Sequence, residues 1–170
     1  MIDIQILQSG LKSISDKYQK FDRGQVTLEI KQLFAAIFIK EYDVYANKMG
    51  ENKWDYVTDV KEYLYDLIVV KEDKSEIENV PYICKTILAL ESELDNGFKS
   101  VMDDFQKLLI SNSDYKVMIF KCHSTELTDY LSYMEKNLNH YAAANGTFYL
   151  ISYLNDKLIF EIKQINLSSF

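Results

Sequence analysis

Two nearly continuous apolar runs constrain this chain most. Tyr63-Leu64-Tyr65-Asp66-Leu67-Ile68-Val69-Val70 is broken by a single acid, and residues 82–91 run through Ile83, Ile87, Leu88 and Leu90 to end in Glu91-Ser92-Glu93. A strand apolar on both faces is a central strand that needs cover above and below, which in practice means helices. Segments of helical spacing stand on either side. Ile4, Leu7, Leu11, Ile14 and Tyr18 recur at helical intervals over residues 4–20, and Arg23-Gly24 breaks the run. A longer helix is predicted over about 25–48, with Val26, Ile30, Leu33, Phe34, Ile37 and Tyr45 on one face, ending at Gly50-Glu51-Asn52. Tyr56 to Val60 reads as a short first strand, and the charged stretch Lys71 to Asn79 as a loop before Pro81.

Beyond Glu93, Leu94, Phe98, Val101, Met102, Phe105, Leu108 and Leu109 fall on one helical stripe. Tyr115 to Lys121 is a fourth strand, and Leu127, Tyr130, Leu131, Met134, Leu138 and Tyr141 mark another amphipathic helix with Ser124 as its N-cap. Asn145-Gly146 turns the chain into Thr147–Leu154, and Asn155-Asp156 is a two-residue hairpin signal before Lys157–Ile165. The expected order is ααβββαβαββ, an α/β fold with a mixed sheet flanked by helices. With no repeat, linker or low-complexity stretch, residues 1–170 read as a single domain.

Composition fits that reading. Apolar residues make up 48% and charged residues 26% of the 170, a globular balance. Thirteen Tyr and 9 Phe against one Trp and one Pro suggest long uninterrupted elements packed through aromatic rings. No run approaches the roughly 20 apolar residues of a membrane helix, and the N-terminus lacks the basic-then-apolar pattern of a secretory signal. Cys84 and Cys122 lie apart in expected strands and read as reduced core residues rather than a disulfide or zinc site. A cytoplasmic location is the expectation. The net charge of −7 and the single Arg23 disfavour unaided binding to nucleic acid, because nonspecific duplex affinity comes mostly from Lys and Arg on phosphates.

Asp66 is costly inside an apolar strand unless paired or bound to a cation, and Asp has a poor strand propensity besides. Glu91 and Glu93, two residues apart, project from the same face of a strand. A hairpin centred between Glu78 and Asn79 pairs residues whose numbers sum to 157, which sets Asp66 opposite Glu91. Carboxylates facing one another repel unless a cation lies between them. Mg²⁺ or Mn²⁺ suits such oxygen donors. The alternative left open is that Asp66 caps a strand end while Glu91 and Glu93 are solvated at a sheet edge.

Glu62-Tyr63-Leu64-Tyr65-Asp66-Leu67, then Leu88-Ala89-Leu90-Glu91-Ser92-Glu93, then Asp104-Phe105-Gln106-Lys107-Leu108-Leu109 resembles the PD-(D/E)xK nuclease superfamily. That superfamily has a restriction-endonuclease-like αβββαβ core, with an acid on the second strand and acid-x-Lys on the third. The resemblance spans roughly residues 25–121, leaving an extra N-terminal helix and a C-terminal β-hairpin. It implies Asp66 and Glu91 as metal ligands, with Glu93 as a further ligand or the group that orients an attacking water. No Pro precedes Asp66, and Glu93 fills the usual Lys slot, as in the Glu-x-Glu variants of the superfamily. A lysine from the next helix substitutes in some members, which nominates Lys107. Its helical angle, about half a turn from the apolar stripe, predicts a solvated surface lysine instead; Lys99 lies nearer the flank of the stripe. Superfamily members often add a Glu from the first core helix, and Glu29 and Glu41 are the residues available for that role.

His123 and His140 lack a third clustered ligand and read as surface or capping residues. Ser92 has no His or Asp partner that marks a nucleophile, and neither a P-loop nor GxGxxG is present. The resemblance therefore implies a Mg²⁺-dependent endonuclease acting on DNA, with a partner protein or a second copy supplying affinity that the acidic surface lacks. The alternatives are a catalytically degenerate nuclease fold acting as an interaction or regulatory module, with the aromatic hairpin Phe148 to Phe160 as its interface, and a small-molecule hydrolase using the same carboxylates. No membrane partner is expected.

Overall fold

A computed structural model describes residues 2–18, 23–47, 58–59, 64–74, 81–94, 97–141 and 144–167. These form helices α1 (Ile4–Tyr18), α2 (Arg23–Phe38), α3 (Phe98–Ile110) and α4 (Leu127–His140). The strands are β1 (Asp43–Ala46), β2 (Thr58–Asp59), β3 (Leu67–Lys74), β4 (Pro81–Glu93), β5 (Tyr115–Cys122), β6 (Gly146–Leu154) and β7 (Ile159–Leu167). They make one mixed sheet in the order β2-β1-β3-β4-β5-β6-β7. β4, β5 and β6 run parallel, joined through α3 and α4. β3 is antiparallel to both β1 and β4, and β7 to β6.

Strand alternation sorts the apolar side chains into two cores. Leu67, Val69, Leu88, Leu90, Val117 and Ile119 face α1 and α2, meeting Leu7, Leu11, Ile30 and Phe34. Ile68, Val70, Ala89, Met118 and Phe120 face α3 and α4, meeting Val101, Phe105, Leu108 and Met134. Phe34 and Phe105 are fully buried, one in each core; such a side chain contributes roughly 1.5–3 kcal/mol of transfer free energy. The expected α/β class, with a mixed sheet flanked by helices, is what the chain forms.

Several boundaries differ from expectation. The second helix ends at Phe38, and Asp43–Ala46 form a strand between β2 and β3. Val44 and Ala46 are buried while Asp43 is exposed, so a two-residue period overrides the helical one there. Only Thr58 and Asp59 of the expected strand 56–60, and only residues 71–74 of the expected loop 71–79, lie within the described residues; the latter extend β3. Asp66 precedes β3 rather than lying inside it. The register near the site sums to 157 as expected, with Leu67 facing Leu90, Ile68 facing Ala89 and Val69 facing Leu88, before a bulge shifts it beyond Val69. Leu94 stands before α3, which starts at Phe98. Cys84 is exposed on the outer arm of the β3–β4 hairpin, and only Cys122 is a core thiol. The N-cap of α4 is Glu126; the Ser124 hydroxyl donates instead to Asp156 Oδ2 at 2.5 Å. Leu154 pairs with Ile159, so the last turn has four residues, with Leu158 at φ 57°.

The N-terminal ends of β5 and β6 are tied together. Lys116, fully buried, donates from Nζ to the carbonyls of Ser113 at 2.5 Å and Asn145 at 2.8 Å. Burial pulls its ammonium down to about 8. Beside it, Gly146 has φ +77°, and a Cβ there would come within 2.5 Å of the Asp114 carbonyl oxygen. Only glycine fits both the angle and the gap.

Candidate active site

β4 emerges from beneath α3 at Glu91-Ser92-Glu93. Alternation puts Glu91 on the same face as Ala89, toward α3, and its side chain is only 5% exposed. Continuing the β3–β4 register by one residue brings Asp66 beside Glu91. Asp66 is fixed there from both ends. Its Oδ2 accepts the Ser92 N–H at 2.9 Å, and its carbonyl accepts the Asn47 N–H at 3.2 Å. Asp66 therefore bridges the chain following β1 to the end of β4.

α3 delivers a lysine to this corner. Lys107 Nζ lies 3.2 Å from Glu91 Oε1 and 2.7 Å from Asp104 Oδ1, one helical turn earlier. Its side chain is 39% exposed, so it is partly rather than fully solvated. The expectation of a solvated surface lysine is corrected: the four-carbon stem carries the ammonium back over the strand end. Tyr65 Oη donates to the Lys107 carbonyl at 3.4 Å, tying this turn of α3 to the residue before Asp66.

A second lysine approaches from the opposite layer. Lys31 of α2 is buried among apolar neighbours, and its Nζ donates to the Asn47 carbonyl and to Asn47 Oδ1, each at 2.8 Å. The same ammonium lies 3.5 Å from Asp66 Oδ1. A buried ammonium without partners would cost several kcal/mol, so this contact set is what permits Lys31 in a helix core.

The electrostatics follow from burial. Glu91 is pushed up to about 8, first by desolvation and then by the carboxylates of Asp104 and Asp66; Lys107 draws it the other way and loses. Asp104 is also raised, chiefly by burial, with Lys107 opposing and Glu93 and Asp66 adding to the rise. For Lys107, desolvation is the largest single effect and lowers its pKa, but Asp104 and Glu91 together outweigh it and leave it raised. The corner thus holds more negative charge than its ammonium groups neutralise, inside a partly dry environment.

Of the residues expected at this site, Asp66, Glu91 and Lys107 come together. Glu93 sits half-buried at the end of β4, close enough to raise the pKa of Asp104. Neither glutamate considered from the first core helix joins them. Glu29 pairs with Lys17 at 3.3 Å, and Glu41 is exposed in the turn after α2. Lys99 pairs with Asp103 at 2.8 Å. His140 contacts the Lys136 carbonyl and His123 contacts Thr125, both in local surface roles. Lys31, Asn47 and Asp104 were not picked out from sequence. Asp104 had a signal, since it stands three residues before Lys107 and so shares its helix face.

Among the described residues no group of three or more His, Cys, Asp or Glu side chains is arranged to hold a metal ion. A divalent ion of the magnesium type commonly needs only one or two protein carboxylates, with water and substrate phosphate completing the shell. The Asp66–Glu91 pair has the right donor chemistry for that arrangement, and the raised pKa of Glu91 marks a place where an added cation would be favourable. No helix among the described residues is long and apolar enough to cross a membrane. Comparison with family models, curated proteins and solved structures finds no match for this chain.

Proposed function

We propose that this corner is the catalytic centre of a metal-dependent phosphodiesterase built on a restriction-endonuclease-like core, with DNA as substrate. The observation that carries the reading is the meeting of Asp66, Glu91 and Lys107 at the end of β4, with the ammonium 3.2 Å from a buried carboxylate. The succession α2, β1, β3, β4, α3, β5 supports it, because it follows the αβββαβ order with the two-residue β2 as an addition. Asp66 and Glu91 would hold Mg²⁺ or Mn²⁺. When bound, such an ion lowers the pKa of water and neutralises charge building on the scissile phosphate.

The chain's own groups do the rest. Ser92 N–H and Lys31 hold Asp66 in position. Lys107 presents an ammonium to a phosphate oxygen or to the attacking water, and Asp104 keeps it charged and aimed. Glu93, at the open end, completes the acidic rim. With a net charge of −7, productive engagement of DNA calls for cations from a partner protein or another copy.

One observation favours a second reading, a degenerate nuclease fold serving as an interaction or regulatory module. Lys107 and Lys31 already neutralise part of the carboxylate charge, so ion pairs and hydrogen bonds of the chain's own groups hold the corner together. Titration with Mn²⁺, alongside a plasmid-nicking assay of wild type, Asp66→Ala and Glu91→Ala, separates the two. Binding and nicking that vanish in both variants support the enzyme. Absence of binding by the wild type at millimolar Mn²⁺ sinks it.

A further inference from the structure

β7 closes one side of the sheet, and among the described residues no strand pairs with its outer edge. An unprotected edge is a template for another strand, and proteins usually blunt it with proline, bulges, shortness or charged side chains. Of these β7 has only its charges, one of each sign. It is 9 residues long, its sequence IFEIKQINL contains no proline or glycine, and its pairing with β6 is unbroken from Leu154–Ile159 to Gly146–Leu167. In a chain of net charge −7 this strand is electroneutral, with Glu161 and Lys163 as its charged residues.

We infer that the edge of β7 is a self-association surface, through which two copies pair their β7 strands antiparallel into one continuous sheet. The occupant is identified by the order of side chains along the strand. In a two-fold antiparallel pair, residues facing each other have numbers with a constant sum, and same-face contacts require that sum to be even. Centring the pair on Lys163 opposes two ammonium groups, and centring it on Glu161 opposes two carboxylates. Centring it on Ile162 puts Glu161 opposite Lys163 of the other copy twice, Ile162 opposite itself, and Ile159 opposite Ile165. Of these three registers, only this last sets unlike charges and apolar side chains against one another.

The surroundings agree with that register. Phe160 and Ile162 lie on the face toward α1, where they line a groove of about 560 Å³ with Leu11, Lys12 and Ser15. A second β7 laid along the edge extends the wall of this groove with its own Phe160 and Ile162. On the opposite face lies Lys163, which pairs with Glu135 of α4 and stays half-exposed. The surface lies at the far side of the sheet from β3, so this inference is independent of the phosphodiesterase reading.

The experiment is sedimentation equilibrium of the full chain across the micromolar range, with charge-swapped variants. Wild type is expected at about twice its 19.9 kDa mass. Glu161→Lys alone and Lys163→Glu alone each oppose like charges at two places, and each is expected to weaken the dimer roughly tenfold or more. An equimolar mixture of the two single variants restores unlike pairs at both places, so it is expected to dimerise, as is the double variant carrying both changes. Circular dichroism spectra matching the wild type confirm that each variant is folded. A monomeric wild type overturns the proposal. So does a dimer indifferent to both single changes, or a mixture that stays monomeric.

Discussion

Replacing Glu91 by Gln tests the electrostatics of the corner directly. The substitution keeps the shape and an acceptor for Lys107 but removes the ionisation. In the folded chain Glu91 titrates at about 8, against an ordinary value of 4.5, chiefly because it is buried and flanked by Asp104 and Asp66. The sign follows from proton counting. Between those two values the folded chain keeps the proton and the unfolded chain has lost it, so stability falls as pH rises, at about 1.4 kcal/mol per pH unit. Stability associated with the protonated form is fully present below 4.5 and is lost by the time pH has passed about 8. The whole span amounts to about 5 kcal/mol, an upper figure because local relaxation and water entry discount it. Urea denaturation in the presence of a chelator, compared between wild type and Glu91→Gln, cancels the titrating groups that do not interact with Glu91. From roughly pH 5.5 to 7.5 the wild type should lose about 3 kcal/mol relative to the variant. Added Mn²⁺ should return stability to the wild type at the alkaline end and do little for the variant. Parallel pH profiles for the two proteins would refute the reasoning, since they would mean that Glu91 ionises as easily folded as unfolded.

Three further outcomes follow from the structure. Lys107→Met removes the cation that draws Glu91 down, so the pH-dependent loss in the same denaturation series should extend to higher pH, by less than about one unit because the lysine is partly exposed; an unchanged profile would mean the pair contributes nothing. Gly146→Ala should cost about 1–3 kcal/mol in urea denaturation, from the positive φ and the collision with the Asp114 carbonyl, and a neutral result would contradict the close approach. A thiol reagent at neutral pH should label exposed Cys84 promptly while Cys122, buried and pushed up to about 11, reacts only on unfolding; equal rates in the mass spectrum would count against the second core.

Periodicity was legible wherever a segment is long and faces a single environment. Helices α1, α3 and α4 and strands β5 and β6 stood out because Leu, Val and Phe recur at one spacing throughout. β1 was hidden because four residues, Asp43–Ala46, follow a helix whose apolar face continues smoothly through Ile37 to Tyr45. The alternation of Val44 and Ala46 is too short to compete with that pattern. The acidic corner was legible because carboxylates in apolar runs are expensive, and because the register could be worked out by counting. Lys107 was misjudged because a helical angle locates Cβ and not the end of a long side chain. Lys31 was invisible for a different reason. Its partner Asn47 lies beyond β1, and without that strand nothing in the sequence brings Asn47 toward α2.

The tie between Lys116, Ser113 and Asn145 bears on motion as well as shape. It clamps the N-terminal ends of β5 and β6, and the Thr147 N–H adds a bond to the Asp114 carbonyl across the same gap. The acidic corner sits toward the other ends of these strands, where Glu93 is level with Phe120. A sheet pinned at one end opens preferentially from the other, as a hinged book does from its fore-edge. Amide exchange should therefore be slowest around Lys116 to Met118 and around Thr147 to Tyr149, and faster toward the Glu91–Glu93 end of β4. Breathing of the fold is thereby directed toward the acidic corner.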